Sequence, residues 1–388
     1  MNLTARKVKA GQNEGIGPVK TQSFTFGHFP APFILESGES IGPVTLAYET
    51  YGRLDADASN AILILHALTG DAHAAGYHEG DVNPGWWDDM IGPGRAFDTD
   101  RYFVVCSNVL GGCRGSTGPS SENPLTGRPY GLEFPVVTIR DMVSAQRRLL
   151  DHLGIDMLLA VAGGSMGGMQ ALQWVVSYPE KVASAILIAT TAEHTPQQIA
   201  FNEVGRQAIM ADPNWNNGDY YGLGLPDKGL SVARMVGHIT YMSDDSMNEK
   251  FGRRVKDTKQ QFKFSPEFEV EGYLHYRGYN FINRFDPNSY LYITKAVDSF
   301  AVANGKPLHK LLEGVGTKLL IIAFSSDWLY PPYQAQQIVK ACKMAGADAT
   351  YCELRSNYGH DAFLVELDEQ TYLYTHFLKK VCDGRRAA

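Results

Sequence analysis

The stretch LAVAGGSMGGMQALQWVVSYPE, residues 159–180, decides the fold, because an apolar run ends in glycines and a helical pattern follows a single serine. Residues 163–167 read Gly-Gly-Ser-Met-Gly and match G-x-S-x-G. At a strand-to-helix junction this pattern predicts a nucleophile elbow, a tight turn that holds the Ser165 hydroxyl in the open. The alternative is a structural turn, in which the glycines only let a strand fold back onto a helix.

Short apolar runs alternate with helical patterns on both sides of this turn. The runs that read as strands are PVTLAYETYG, NAILILHALTG, RYFVVCSNVLG, DMLLAVAGGS, ASAILIATTA, TKLLIIAFSSD and ATYCELR. Runs of this length, bounded by turn residues, are typical of strands that are buried on both faces of a parallel sheet. With helical patterns such as IRDMVSAQRRLLDHLGI between them, they predict an α/β doubly wound architecture.

The alternation stops after about residue 195, and residues 196–305 carry polar and aromatic stretches with helical spacing, such as LSVARMVGHITYMSDDSMNEKFGRR. We therefore predict a helical lid at 196–305, inserted between a first core part at 1–195 and a second at 306–388. Residues 1–30 are polar and contain glycine and proline, so we expect an irregular leader there.

A serine hydroxyl becomes a nucleophile only when a base removes its proton and a carboxylate orients that base. On this fold the chain order is Ser, then Asp or Glu, then His. Asp327 ends the strand pattern TKLLIIAFSSD, and His360 lies in the loop of ELRSNYGHDAF. We predict the triad Ser165, Asp327 and His360. The competing acid Asp361 adjoins the histidine in sequence and is badly placed to orient its ring.

The reaction also needs two backbone N–H donors for a negatively charged oxygen. We predict Met166, directly after the serine, and Leu68, in the loop of LILHALTGDAHAAG. His66 and His73 in this loop are seven residues apart and have no third ligand clearly paired with them. We interpret them as structural and predict no metal site.

Composition excludes several classes of protein. A net charge of −7 argues against a nucleic-acid-binding protein, which normally carries a basic stripe. No window approaches the 18 or more apolar residues of a membrane span, and the first 20 residues do not read as a secretory signal. The five cysteines contain no C-x-x-C pair, so we expect neither structural disulfides nor a cysteine zinc site. These features predict a cytoplasmic protein.

Six stretches together resemble the homoserine O-acyltransferases, a family of methionine biosynthesis with the α/β-hydrolase fold. They are HALTGDAHAAG, CSNVLGGCRGSTGPSS, AGGSMGGMQALQW, GLSVARMVGHITY, SSDWLYPP and NYGHDAFL, and the resemblance runs from about residue 25 to 380. It implies a mostly parallel central sheet with an inserted helical lid. It also implies ping-pong transfer of an acyl group from acyl-CoA to Ser165 and then to the γ-hydroxyl of L-homoserine. His360 would act as base, acid and base again.

The same resemblance implies the substrate residues and the assembly. Arg234 would pair with the carboxylate of homoserine, Asp361 with its α-amino group, and Tyr241 would line the pocket. One cation and one anion suit a zwitterionic amino acid. The family also implies a homodimer formed through the helical lid, and no cofactor beyond the acyl-CoA co-substrate.

The residue type at position 329, a leucine in SSDWLYPP, indicates which acyl donor the protein uses. Family members that use succinyl-CoA carry an arginine at this position, two residues after the catalytic aspartate. A leucine offers no partner for a buried second carboxylate, so acetyl-CoA is the expected donor. Alternatives remain open: a homoserine O-succinyltransferase, a serine O-acyltransferase, a serine esterase with the same triad, or a non-catalytic binding protein of this fold. The Gly/Ser-rich segment 106–121 is expected to shape the site, with no residue assigned a role.

Overall fold

The computed structural model describes residues 15–255 and 264–387 and contains one eight-stranded sheet. In chain order its strands are β1 (Gln22–Phe26), β2 (Val44–Tyr51), β3 (Ala61–Leu65), β4 (Phe103–Ser107), β5 (Ala160–Gly164), β6 (Ser184–Ile188), β7 (Lys318–Phe324) and β8 (Ala349–Leu354). The spatial order is β1-β2-β4-β3-β5-β6-β7-β8. Pairing is antiparallel for β1 with β2 and for β2 with β4, and parallel from β4 to β8. This is the mostly parallel sheet of the α/β-hydrolase fold.

The helices lie between and after these strands. They are α1 (Ile139–His152), α2 (Met166–Ser177), α3 (Pro196–Met210), α4 (Asp227–Tyr241), α5 (Asp244–Lys250), α6 (Glu269–Ile282), α7 (Pro287–Asp298), α8 (Leu308–Leu312), α9 (Pro332–Ala345), α10 (Ala362–Val365) and α11 (Leu367–Ala387). Short 3₁₀ segments are found at Asp88–Met90, Gly131–Glu133, Pro179–Lys181, Pro213–Gly218 and Gly359–Asp361. Two-residue strands pair Phe33–Ile34 with Ser40–Ile41, Ile91–Gly92 with Phe97–Asp98, and Glu122–Asn123 with Arg128–Pro129.

The inner strands are apolar because both faces of the sheet are covered. Every residue of β3, β5 and β6 is buried, and the core divides into two clusters, one on each face. Side chains that alternate along a strand point to opposite faces, so a run such as Ala61–Leu65 has to be apolar throughout. The seven strands predicted from sequence correspond to β2–β8.

The leader prediction for residues 1–30 is wrong in one part. Residues 1–14 lie outside the described residues, but Gln22–Phe26 forms β1, paired in register with Val44–Tyr48 of β2. Its QSFTF pattern alternates, so Phe24 and Phe26 face one side, where Phe24 stacks on His152 with ring centroids 4.2 Å apart. An edge strand that is covered on one face only is short and has polar residues on its other face. Its sequence is therefore hard to distinguish from the polar residues around it.

Helices α3 to α8 lie between β6 and β7, and within the described residues no strand of the sheet interrupts them. The strongest packing is between α3 and α4 and between α4 and α6. Helices α3 to α8 therefore lie between Ile188, the last residue of β6, and Lys318, the first residue of β7. The division into parts 1–195, 196–305 and 306–388 stays a prediction.

Candidate active site

Ser165 occupies the junction between β5 and α2 with φ 57° and ψ −123°, a backbone conformation that is rare for a residue with a side chain. Two backbone hydrogen bonds hold the turn. The Ser165 N–H donates to Ile188 O at 2.9 Å, and Thr190 Oγ1 donates to Ser165 O at 2.8 Å. This strained geometry is the one that a nucleophile elbow requires.

The glycines of the motif are required by close backbone approach. A Cβ atom at Gly167 would lie 2.0 Å from Leu65 O, and one at Gly163 would lie 2.6 Å from the same atom. One at Gly164 would lie 2.6 Å from the ring of Phe363. Real Cβ atoms do not approach backbone oxygens so closely, because the atoms would overlap. The strand and the helix can therefore close up around Ser165 only without these side chains.

Asp327 and His360 form the buried pair predicted from sequence. His360 Nδ1 lies 2.8 Å from Asp327 Oδ2, and the two residues are 3% and 2% exposed. The other carboxylate oxygen, Oδ1, accepts the backbone N–H groups of Leu329 at 3.0 Å and Tyr330 at 2.8 Å. Because the carboxylate only accepts, His360 Nδ1 carries a proton and Nε2 is left free to act as a base.

A cavity opens at Ser165 and encloses about 510 Å³ of space, its mouth included. Its lining joins the elbow, the loop after β3, the lid and the segment after Asp327. The lining residues are Leu68, Ser165, Met166, His194, Gln198, Phe201, Asn202, Val236, Gly237, Thr240, Tyr241, Tyr290, Val297, Leu329 and Tyr330. The predicted oxyanion donors Leu68 and Met166 are both in this set, as are Tyr241 and Leu329.

The predicted oxyanion donors have the right environment. Met166 is the first residue of α2, where a backbone N–H has no partner within the helix, and Ser165 gives it no side-chain cap. Leu68 follows β3 in the next loop. Within the described residues no backbone hydrogen bond occupies the N–H of Leu68 or of Met166. Both groups are thus available to a negatively charged oxygen beside Ser165.

Arg234 lies on α4 of the lid and reaches the loop after β3. Its Nη1 donates to Thr69 Oγ1 at 3.2 Å, next to Leu68. The guanidinium carbon lies 4.7 Å from the ring centre of Phe281 and 5.7 Å from that of Tyr241. Aromatic faces stabilise the cation, and among the described residues no other hydrogen bond uses its remaining N–H groups.

Asp361 directly follows His360 in the chain and is partly buried. Burial raises the pKa of its carboxyl group, and the nearby charges of His360, Arg234, Arg277 and Lys250 oppose this without overcoming it. A cationic ligand group beside Asp361 would favour its charged form. The charge of Arg234 thus acts on the carboxyl group of Asp361, although neither residue is among those that line the cavity.

Sequence reasoning did not identify a second chain of polar groups at the cavity. His194 Nε2 lies 2.9 Å from the Tyr330 hydroxyl, and His194 Nδ1 lies 3.1 Å from Asp298 Oδ1. The ring of Tyr330 also lies against that of His360, with centroids 4.9 Å apart and planes tilted by 37°. No short motif joins the three residues, because His194 is 104 residues from Asp298 and 136 residues from Tyr330.

The hydrogen bonds of His66 agree with a structural role. Its Nε2 accepts the backbone N–H of Val109 at 3.1 Å, which requires Nδ1 to donate to Ala67 O at 2.8 Å. Burial lowers the pKa of this ring. Both nitrogens are thus committed to the backbone, and the ring fixes the loop after β3 against the loop after β4.

His73 lies apart from His66 in a cluster with Glu49 and His78, whose ligand-type atoms all lie within 4.8 Å of one another. The carboxylate of Glu49 already accepts hydrogen bonds from His73 at 3.0 Å, His78 at 2.6 Å, Tyr51 at 2.8 Å and Thr21 at 2.8 Å. The two imidazole rings lie against each other, with centroids 3.9 Å apart and planes tilted by 31°. The arrangement fits a hydrogen-bonded network better than a metal centre, and the absence of a metal requirement stays a prediction.

The segment 106–121 makes hydrogen bonds to backbone groups of the sheet and of the lid. Ser116 Oγ accepts the N–H of Ala47 at 3.0 Å and donates to Asn108 O at 2.8 Å, and Thr117 Oγ1 accepts the N–H of Thr45 at 2.8 Å. Cys113 Sγ accepts the N–H of Asp286 at 3.4 Å. The segment therefore satisfies backbone groups near β2 and connects them to the start of α7 in the lid.

The chain matches proteins of known families over most of its length. The α/β hydrolase fold family matches residues 60–367. The homoserine O-acetyltransferase of Methanohalobium evestigatum is 61% identical, over 94% of this chain and 74% of its own length, and that of Methanosphaerula palustris is 60% identical, over 95% and 74%. The crystal structure of homoserine O-acetyltransferase from Bacillus anthracis is 34% identical with a TM-score of 0.86, covering 93% of this chain and 98% of that one. The crystal structure of esterase E22 is 33% identical with a TM-score of 0.85, covering 93% and 100%.

Proposed function

The chain belongs to the homoserine O-acetyltransferases, an enzyme family with the α/β-hydrolase fold, and we propose that it works through a covalent acetyl–Ser165 intermediate. In the first half-reaction Ser165 Oγ attacks the thioester carbon of acetyl-CoA while His360 Nε2 takes its proton. The oxygen that becomes negative is stabilised by the N–H groups of Leu68 and Met166. The carbon–sulfur bond breaks, and His360 returns the proton to the sulfur of CoA.

In the second half-reaction His360 takes the proton of the γ-hydroxyl of L-homoserine, whose oxygen attacks the acetyl ester. The ester bond to Ser165 breaks, His360 returns a proton to Ser165 Oγ, and O-acetyl-L-homoserine leaves. The observation that carries this mechanism is the buried His360–Asp327 pair at 2.8 Å. The ring of His360 lies against that of Tyr330, which lines the cavity at Ser165.

Homoserine is bound, in this proposal, by groups on the lid and on the histidine loop. Arg234 binds the carboxylate of homoserine, Asp361 binds its ammonium group, and Tyr241 lines the pocket. Charge-assisted hydrogen bonds are stronger than neutral ones, so this pair recognises the zwitterion rather than the hydroxyl alone. Serine has the same zwitterion and one methylene less, which changes binding by only about 1–3 kcal/mol. A serine O-acyltransferase is therefore the alternative for the acceptor.

The proposed donor is acetyl-CoA, and the support comes from the cavity lining. Leu329 lies on the cavity beside Tyr330, and none of the described residues that line it is a lysine or an arginine. A succinyl group would bring a second carboxylate there without a cation to pair with, at a cost of several kcal/mol. Homoserine O-succinyltransferase is the alternative that this reasoning disfavours.

A serine esterase remains the second candidate, because a similar solved structure is an esterase and the two reactions share the acyl-enzyme. They differ in whether water or an alcohol takes the acyl group. The test is the rate of thiol release from acetyl-CoA and from succinyl-CoA, each with homoserine, with serine and with no acceptor. Fast release with acetyl-CoA and homoserine alone supports the proposal, whereas equal release without an acceptor means that water is the acceptor.

We further propose that two chains associate through the lid. Four large apolar or aromatic side chains of α4 and α6 are exposed: Val232 by 43%, Ile239 by 44%, Tyr276 by 61% and Tyr279 by 66%. A set of this kind on one pair of helices is typical of a protein interface. Tyr276→Glu is expected to shift the elution volume to that of a monomer, while Leu125→Glu, at an 83% exposed position outside the lid, leaves it unchanged.

We place the reaction in the cytoplasm. The five cysteines are all free, which suits a reducing compartment. Among the helices of the described residues, none has the length and apolar character needed to cross a bilayer. Fractionation of cells that express the chain, with enzyme activity as the marker, tests this placement.

A further inference from the structure

His66 makes a hydrogen bond to the peptide group that carries one of the two proposed oxyanion donors. That peptide group joins Ala67 to Leu68, so its oxygen is Ala67 O and its hydrogen is that of the Leu68 N–H. His66 Nδ1 lies 2.8 Å from Ala67 O, and His66 is only 1% exposed. A buried imidazole therefore holds the opposite end of the peptide group that faces the cavity through Leu68.

The direction of this hydrogen bond follows from the other nitrogen of the ring. The N–H of Val109 donates to His66 Nε2 at 3.1 Å, so Nε2 has a lone pair and no proton. The ring proton then lies on Nδ1, which donates to Ala67 O. The loop after β4 thus determines which nitrogen of His66 is the donor.

A second donor holds the same carbonyl oxygen. The N–H of Gly70 donates to Ala67 O at 2.9 Å and closes a turn over residues 67–70. A Cβ atom at Gly70 would lie 2.8 Å from the Cβ atom of His66, so this turn packs against the histidine only with a glycine there. The two lone pairs of Ala67 O therefore each have a donor.

The orientation of the Leu68 N–H follows from these two bonds. A peptide group is planar and trans, so its C=O and its N–H point in opposite directions. Within the described residues no backbone hydrogen bond occupies the N–H of Leu68, so only the bonds at the oxygen restrain its direction. Hydrogen bonds that the oxygen accepts also polarise the peptide group and strengthen its N–H as a donor.

We propose that His66 is a positioning residue of the oxyanion hole, which orients and strengthens the Leu68 N–H through the oxygen of Ala67. This role rests on the proposed function, in which the thioester oxygen of acetyl-CoA becomes negative beside Leu68 and Met166. The charge on this oxygen is largest in the transition state, so a well-directed donor lowers the barrier more than it tightens the binding of acetyl-CoA. His66 itself transfers no proton.

Two substitutions separate the hydrogen bond to Ala67 from the hydrogen bond to Val109. In His66→Asn the amide nitrogen takes the place of Nδ1 and donates to Ala67 O, but the side chain is too short to reach Val109. In His66→Gln the amide oxygen takes the place of Nε2 and accepts the Val109 N–H, and Ala67 O keeps only its bond from Gly70. Each variant loses the ring and one hydrogen bond, so each is the matched control for the other.

Stopped-flow measurement of thiol release from acetyl-CoA without an acceptor gives the rate constant of acetylation and the half-saturating concentration. His66→Gln is expected to lower the rate constant about 10- to 100-fold, because Gly70 still holds the oxygen and the loss of a whole donor costs about 10²–10³-fold. The half-saturating concentration should stay nearly unchanged. His66→Asn is expected to keep a rate constant close to that of the wild type. Thermal melting of both variants shows that each is folded, and a purely structural role would lower the two rate constants equally or not at all.

The wild type supplies a second test, which does not depend on the folding of a variant. Nuclear magnetic resonance of the chain with isotope-labelled histidine distinguishes the two neutral tautomers, and the His66 ring is identified by its through-space contact with the Val109 amide. The proton is expected on Nδ1. A proton on Nε2 would overturn the inference, because Nδ1 could then not donate to Ala67 O.

The outcomes also separate the inference from the proposed function. A folded His66→Gln with the wild-type rate constant, or an equal loss in a folded His66→Asn, overturns the inference and leaves the proposed function standing. A wild type that releases no thiol from acetyl-CoA overturns the proposed function and the inference with it.

Discussion

Replacing Asp327 by Asn tests the triad most directly, because the change keeps the shape of the side chain and removes only its charge. Asp327 Oδ1 accepts two backbone N–H groups, from Leu329 at 3.0 Å and Tyr330 at 2.8 Å. An asparagine keeps both bonds only if its oxygen takes that position. Its NH₂ group then faces His360 Nδ1, which has to lose its proton, and the proton moves to Nε2 beside Ser165.

A histidine with its proton on Nε2 cannot accept the serine proton. The loss expected for this wrong tautomer is about 10⁴-fold in the rate of acetyl-enzyme formation, or roughly 5.4 kcal/mol at 1.36 kcal/mol per factor of ten. Asp361→Asn is the matched control, since it changes the neighbouring acid in the same way. It is expected to leave acetyl-enzyme formation nearly intact and to raise the homoserine KM about 10- to 100-fold, the cost of one charge-assisted bond.

Stopped-flow measurement of thiol release from acetyl-CoA without homoserine isolates the first half-reaction, and steady-state assays at varied homoserine give KM. Thermal melting of both variants confirms that each is folded. If Asp361→Asn abolished the thiol burst and Asp327→Asn slowed it less than tenfold, Asp361 would be the triad acid. The reasoning from the 2.8 Å contact of Asp327 with His360 would then be refuted.

Four further changes have defined outcomes. Arg234→Ala is expected to raise the homoserine KM about 100-fold while the thiol burst without acceptor persists; loss of both half-reactions would contradict its role. Leu329→Arg should move the donor preference toward succinyl-CoA in kcat/KM, with Leu329→Met unchanged, and an unaltered ratio would place donor selection elsewhere. His238 is held neutral by burial and by the charge of Arg234, which lower its pKa to about 2, so the unfolded state binds more protons between that value and pH 6.5. Between pH 7 and pH 5 the wild type should therefore lose about 2 kcal/mol more free energy of unfolding than His238→Asn. Equal losses in urea unfolding would rule this out. Gly167→Ala places a Cβ 2.0 Å from Leu65 O and should abolish soluble folded protein, whereas Gly316→Ala, with open space around it, should melt like the wild type.

The sequence predicted the elements whose rules are local. The elbow at Ser165 follows from the glycine spacing, and Asp327 follows from its position at the end of an apolar run. In a parallel sheet the carboxyl ends of neighbouring strands meet at one edge, so strand ends that are far apart in sequence still lie close together. That topological rule, with no knowledge of side-chain contacts, was enough to pair Asp327 with His360.

The partners of the second chain could not be predicted in the same way. His194 is 136 residues from Tyr330 and 104 residues from Asp298, and none of the three ends a strand of the sheet. Their contact depends on how the lid helices pack onto the core, which no short pattern encodes. Strand β1 was not predicted for a different reason. Its sequence is short and largely polar, and it is a strand because it pairs with β2.

The elbow and the triad do not decide between transfer to homoserine and hydrolysis, since both need the same acyl-enzyme. The decision rests on groups that water does not require. Arg234 makes one side-chain hydrogen bond, to Thr69, and within the described residues it has no ion pair within 4.0 Å. Asp361 is partly buried, with its pKa raised by that burial. A cation and a carboxyl group without an ion-pair partner among the described residues serve no step of hydrolysis, whereas a zwitterionic acceptor would pair both. The triad is compatible with either acceptor. The charged groups of Arg234 and Asp361 therefore favour an amino acid over water as the acceptor.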